Sequence, residues 1–309
     1  MVRPAKGRGG VRGAKFMKWL IGVDLEDKAT GALHFASWLV HARPDAHPQL
    51  LPVHVLEESY LLQVLRHAHV ESVERIALDS TVAQLDRHGI AGAVVPARVV
   101  RGIEASDSLI REFDAEHADA LIIGRQAPTG TRDIVRLGRV ARRLVRALPC
   151  PVVVVPPELR RDTVGDGPIV LATDLAETSG SAARFASRLA QSTGRSLLVV
   201  NVVTRTGDAA RYLPAETAEQ IYAEVGLERQ RELGAWMDRH GLAGAASVVA
   251  YGDVIGRLSS LLAAEGAPLV VCGSRGLGPL ERIFVASIGT DLACWAGCAV
   301  ALVPAAWAG

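Results

Sequence analysis

The stretch Leu269–Ser287, LVVCGSRGLGPLERIFVAS, decides how this chain is read. Leu269, Val270, Val271 and Cys272 form an apolar run that ends on Gly273; Gly276 and Gly278 follow, and Ala286-Ser287 marks a helix start. An apolar run without alternation fits a parallel strand buried on both faces. Glycines beyond it let backbone N–H groups approach an anion, and the dipole of the next helix favours negative charge. Such turns are common in α/β proteins that bind nothing. This one gains weight because the rest of the chain is built to display it twice.

Outward from that loop, strands and helices alternate along the whole chain. The first half reads as a strand Trp19–Asp24, a helix from about Ala29 to His41, and a strand Gln49–Leu56. A long helix from Tyr60 to about His88, stopped by Gly89, then precedes a strand Ala93–Val100. Helix Ser106–His117, strand Ala118–Gly124, a helix from about Gly138 to Leu148 and strand Val152–Val155 complete it. The polar, turn-rich segment Pro156–Gly167 is the expected linker. After it the order begins again. Ile169–Asp174 matches Leu20–Asp24, Phe185-Ala186-Ser187 repeats Phe35-Ala36-Ser37, Asp238–Ala245 (DRHGLAGA) repeats Asp86–Ala93 (DRHGIAGA), and Cys298 matches Cys150. Matches in one order at a nearly constant offset mark an internal duplication.

Composition agrees. A length of 309 residues suits two domains, and 49% apolar with only 5% aromatic residues means an aliphatic core, as parallel sheets covered by helices require. The net charge of +1 makes nucleic acid an unlikely partner. No apolar run reaches the roughly 18–20 residues of a membrane span, so no membrane association is expected. Cys150, Cys272, Cys294 and Cys298 lie in or beside apolar segments without disulfide-style spacing, the usage of reduced thiols in a cytoplasmic protein. Residues 1–16 form a basic, glycine-rich stretch expected to be a disordered tail, with Met17 an alternative start of translation. The expected architecture is α/β: two tandem doubly wound five-stranded parallel-sheet domains, each in strand order 3-2-1-4-5, over residues 17–156 and 168–305, with 157–167 between them. In that order the first and fourth strands are neighbours at the switch point, so Asp24 faces Gly124 and Asp174 faces Gly273.

Together these residues resemble the universal stress protein family in its tandem form. The family pattern is a first strand ending in Asp, then Gly-x-x-Gly, nine residues, Gly-Ser or Gly-Thr, and often Pro-Cys-Pro before the last strand. The resemblance implies the adenine nucleotide alpha hydrolase-like fold and a stress-related role rather than a known reaction. Some members bind ATP or AMP through the glycine motif; others lack it. It also implies that fifth strands pair across a dimer interface, so Val152–Val155 and Ala299–Val303 would form a pseudo-dimer within one chain, with further homodimerisation possible.

Carried onto the second half, the pattern puts Asp174 on the adenine side and Val202 beside it. Cys272, Gly273 and Gly276 fall in the loop, and Ser287 stands in the hydroxyl position with Ile288 next to it. Ala286 replaces the family's glycine, and its methyl crowds a phosphate's approach. The first half keeps Asp24, Gly124 and Gly138 but has Ala127 for the second glycine, ten residues instead of nine, and Arg139 for Ser or Thr. It is the weaker site.

Each residue also has a plain structural role: Ser287 a helix cap, Asp174 a turn former, Gly273 and Gly276 a tight turn. Arg136, Arg139, Arg143 and Arg146 lie three or four apart with Arg142 beside them, which reads as a solvated face with acids nearby. Cys294 and Cys298 are four apart and would share a face of a continuous helix, but Cys298 is expected to start the last strand, so core packing is expected rather than zinc. His88 and His240 are placed to complement helix C-termini. No Gly-x-Ser-x-Gly, His-Glu-x-x-His or Gly-Lys-Ser/Thr occurs, so no catalytic or metal site is expected. The expected function is a stress protein that binds ATP or AMP, magnesium accompanying ATP. The alternatives are a ligand-free interaction protein and, last, a slow ATP hydrolase.

Overall fold

The computed structural model describes residues 17–25, 30–43, 48–90, 92, 94–126, 137–204, 215–274 and 288–308, with only the helical backbone over 215–223. In the first half, β1 (Lys18–Gly22) pairs in parallel with β2 (Gln49–Glu57) and β4 (Ala120–Gly124). Beyond them lie β3 (Arg98–Gly102) on β2 and β5 (Val152–Val155) on β4. The second half repeats this with β6 (Ile169–Ala172) between β7 (Leu197–Val203) and β9 (Leu269–Gly273), flanked by β8 (Ala246–Tyr251) and β10 (Ala299–Val303). Each half therefore has the order 3-2-1-4-5. The halves fuse because β5 and β10 pair antiparallel, Val154 opposite Val300 and Val152 opposite Leu302, giving one ten-stranded sheet.

The fusion follows from composition. Every residue of β5 (VVVV) and β10 (AVALV) is buried, and an exposed strand this apolar would be an open edge for aggregation. The free edges left are β3 and β8. β3 carries Arg98, paired with Glu112 and Glu116, and Arg101, paired with Glu74, charges that discourage edge-to-edge pairing.

Alternate strand residues feed two core layers. Trp19, Ile21, Val153, Leu171 and Val271 pack under α1 (Gly31–His41), α3 (Val70–Arg87), α6 (Gly180–Thr193) and α7 (Ala215–Arg239). Leu20, Val152, Val170, Val270 and Leu302 pack under α4 (Ala105–Ala115), α5 (Arg139–Ala147), α8 (Val254–Ala264) and α9 (Ile288–Trp295). Trp19 meets Phe185 edge-on at 6.3 Å, so the core is continuous between the halves.

Three local expectations change. The single helix Tyr60–His88 is two: α2 (Glu58–Val64) buries only Leu61, and His69 is extended before α3 starts. Without a continuous apolar stripe nothing holds one long helix. The strand Ala93–Val100 shrinks to Arg98–Gly102 with an isolated bridge from Val94 to Leu50, because Pro96 has no N–H for a ladder. The first strands stop at Gly22 and Ala172, two residues short of Asp24 and Asp174. Cys298 lies outside α9 and immediately before β10, at the start of the last strand as expected; all four cysteines are free.

The linking segment is packed rather than loose. Leu159 and Val164 are buried, a 3-10 turn forms at Arg161–Thr163, and Gly167 donates its N–H to the Gly266 carbonyl at 2.9 Å. A Cβ on Gly165 or Gly167 would overlap backbone oxygens of Glu265 and Gly266.

Candidate functional site

The second half has the open switch point. β6 and β9 end side by side there, and a cavity of about 1190 Å³ lies over the ends of β6, β7, β9 and β10. That exceeds the roughly 300–1,000 Å³ usual for small-molecule sites. Its floor is apolar, from Ala172, Val200, Val202, Cys272 and Leu302, and its polar groups include Thr173, Asp174, Ser179, Thr204, Ser274 and Thr290. Five residues singled out from sequence thus line one space: Asp174, Val202, Cys272, Gly273 and Ile288. Gly276, Ala286 and Ser287 lie outside the described residues, as do Arg275, Arg282, Ala127, Arg132, Asp133 and Arg136.

Asp174 sits in the turn after β6. One carboxylate oxygen accepts from the Ala176 N–H at 3.1 Å and the Ser179 hydroxyl at 2.9 Å, the bonding of a turn former. Leu175 has φ +67, a left-handed conformation uncommon for a non-glycine residue, and its N–H donates to Thr173 Oγ1. Nothing in the local sequence marks Leu175 for that conformation. Gly273 has a packing reason that spacing did not reveal. A Cβ there would come within 3.3 Å of Ser179 Cα and Oγ, so the glycine admits the turn that carries Asp174. Burial, with Cys298 nearby, pushes the Cys272 thiol up to about 12, and it stays protonated. Ile288 opens α9 at the cavity wall, followed by Gly289 and Thr290.

The first half places long charged side chains at the matching positions. Asp24, Gly124 and Gly138 sit at the matching strand and helix ends, and none lines the cavity. Arg125 follows Gly124, and its side chain is 6% exposed. Its Nη1 donates to the carbonyls of Ala293, Cys294 and Ala296 at 3.2, 2.6 and 3.2 Å, the C-terminal end of α9. Burial pushes the Arg125 guanidinium below its ordinary value, and Glu158 at 3.5 Å opposes that shift. Arg139, just after Gly138, reaches across to Glu57 at the end of β2 and to Glu104. Burial alone would raise the Glu57 carboxyl; hydrogen bonds from Arg139 and the Ala105 N–H hold it below the usual carboxylate value. The β1–β2 and β6–β7 registers make Thr204 the counterpart of Glu57, and the β1–β4 and β6–β9 registers make Ser274 that of Arg125. Arg125 and Glu57 were absent from the sequence expectations, although setting the two repeats side by side exposes both differences.

A sequence model of the universal stress protein family matches residues 15–156 and again residues 167–304. The chain belongs to the universal stress protein family. It is 28% identical over 244 residues to a universal stress protein of Mycobacterium tuberculosis strain H37Rv, covering 76% of this chain and 71% of that protein. A Mycobacterium bovis universal stress protein matches to the same extent. Among solved structures, a universal stress protein from Archaeoglobus fulgidus covers 93% of this chain and 98% of its own, with a TM-score of 0.63 and 15% identity. A protein of unknown function from Pseudomonas aeruginosa covers 94% and 92%, with a TM-score of 0.62 and 14% identity. These two structures share the tandem universal stress protein fold. Among the described residues, no group of three His, Cys, Asp or Glu side chains is placed to hold a metal, and no helix is long and apolar enough to cross a membrane.

Proposed function

We propose that the second universal stress protein domain binds an adenine nucleotide, ATP or AMP, and acts through binding rather than turnover. The supporting observation is the cavity at the second switch point, lined by Asp174, Val202, Cys272 and Gly273, where the first half has Arg125 and Glu57 at the positions of Ser274 and Thr204. A flat apolar base suits Val200 and Val202 on the floor, and Asp174 at the rim suits a ribose hydroxyl or amino group. The phosphates belong beside Gly273 and Ser274, where the loop of the family pattern begins. Among the described lining residues Asp174 is the sole carboxylate, and one of its oxygens is engaged by the turn. That leaves no second acid for hydrolysis, and no magnesium site is proposed. Nucleotide occupancy would alter the mouth of the cavity and so partner choice.

One observation favours the second reading, a ligand-free interaction protein: the bonds that hold Asp174 need no ligand. Equilibrium dialysis of the full chain with labelled ATP and AMP separates the two. Wild type is expected to retain nucleotide, and Val202→Trp, which fills the floor, to lose it with an unchanged melting temperature. No retention of either nucleotide by wild type overturns the proposal.

A further inference from the structure

The cavity does not end at its own domain. Because β5 runs antiparallel to β10, the start of β5 lies beside the end of β10, with Val152 opposite Leu302. Residues of the first domain therefore complete the wall: Leu148, Pro149, Cys150 and Pro151 and, from α5, Arg142 and Arg146.

The arginines of α5 divide into two pairs. Arg139 is bound by Glu57 and Glu104, and Arg143 by Glu104 and Asp107. Arg142 and Arg146 form no ion pair with any described residue; Arg142 makes one long hydrogen bond, 3.4 Å, to the Leu137 carbonyl. Arg146 lies in the last turn, where it offsets the roughly half negative charge of the helix end. Two guanidinium groups exceed that half charge together with Asp114, whose charge reaches Cys150, so this wall of the cavity keeps a small positive excess. The pseudo-symmetry of the halves brings the wall to the loop. Arg125, after β4, reaches the last carbonyls of α9. By the same relation Ser274, after β9, faces the last turn of α5, and Ser274 and Arg146 line the same cavity.

We propose that Arg142 and Arg146 of the first domain bind the phosphate chain of the ligand held by the second, so that the site favours a triphosphate over a monophosphate. This deepens the adenine-nucleotide reading and rests on it. Guanidinium forks suit phosphate oxygens, and this pair, free of acids, lines the same cavity as Gly273 and Ser274. It also gives the first domain a role in binding at the second.

The test measures binding of ATP, AMP and inorganic tripolyphosphate to the full chain by calorimetry. Wild type is compared with Arg142→Gln/Arg146→Gln and with Arg143→Gln, whose parent arginine is paired with acids. The double variant is expected to lose at least about tenfold in affinity for ATP and tripolyphosphate, with AMP changed less than about threefold and Arg143→Gln like wild type. Raising salt on wild type, which needs no variant to fold, should weaken ATP more than AMP. Equal ATP affinity in wild type and double variant, or equal losses for ATP and AMP, overturns the assignment. Arginine-dependent binding of tripolyphosphate without any preference for adenosine would sink the adenine reading and leave the arginines in place. Failure of all three probes to bind wild type overturns both.

Discussion

Gly124 and Gly273 end equivalent strands, yet the residue after each sends its neighbourhood in opposite directions. After Gly124 comes Arg125, long enough to cross the fused sheet and cap α9. After Gly273 comes Ser274, too short to reach α5, and a cavity remains. The same holds across the switch point, where Glu57 accepts Arg139 in the first half and Thr204 faces open space in the second. One copy of the duplicated unit carries an internal ion pair and a cross-domain hydrogen-bonded arginine at positions that line a cavity in the other. The difference shows how few substitutions separate two copies of one fold.

Exchanging the residue after the strand is the most drastic way to break that contrast. Ser274→Arg gives the second half the first half's plug. The new guanidinium should cap α5 and fill the cavity, lowering nucleotide affinity by at least about a hundredfold, since about 3 kcal/mol of lost contact suffices. Dialysis against labelled ATP checks this, and the melting temperature should hold or rise. Retained binding would mean that the cavity is not where nucleotide sits.

The reverse change tests the plug's stabilising role. Arg125→Ala removes three charge-assisted bonds to α9 carbonyls and leaves a void between the halves. Urea unfolding should show a loss of about 3 kcal/mol. A loss below about 0.5 kcal/mol would reduce Arg125 to a bystander.

Arg139→Ala is milder because the Arg139 side chain is 55% exposed, whereas its partner Glu57 is 7% exposed. Breaking a fully buried pair costs roughly 3–5 kcal/mol; solvent screening of Arg139 brings the expected loss to about 2 kcal/mol. The pair also has a pH signature. The Glu57 carboxyl is held below its ordinary 4.5, so its contribution is present above that value and disappears as pH falls through the lower folded one. Unfolding curves across that acid window should be steep in wild type and flatter in Arg139→Ala. Equal slopes would show that Glu57 is not held by Arg139.

Much of the fold was legible because apolar runs, acids and glycines recur in one order, and a repeated error is less probable than a repeated unit. What was not legible depends on distance in the chain. Arg125 contacts residues 168 to 171 positions away, and Glu57 is bound by a residue 82 positions on. No periodicity reports such partners. The break between α2 and α3 escaped because helical spacing does not show which turns find a core to pack on. Of the residues that the family pattern singled out, Asp174, Val202, Cys272, Gly273 and Ile288 line the cavity. The α5 arginines were read only as a solvated face, because the sequence does not show that the other domain adjoins that cavity.

Two cysteines give the gentlest probe of whether that wall and the loop share one ligand. Cys272 lines the cavity from the second domain and Cys150 from the first, whereas Cys298 is not among the lining residues. Burial pushes all three thiols up to about 12, with Asp114 adding to the shift at Cys150 and Cys298 adding to it at Cys272. The thiolate is the reactive form, so near pH 8 only about one in ten thousand of each is available and labelling is slow. Near pH 10 the thiolate fraction rises about a hundredfold, and a small alkylating reagent reports access. If nucleotide sits between the domains, saturating ATP should slow labelling of Cys150 and Cys272 together by about threefold and leave Cys298 unchanged. Protection of Cys272 alone would confine the ligand to the second domain and remove α5 from the site. Mass spectrometry of the labelled peptides distinguishes the three thiols.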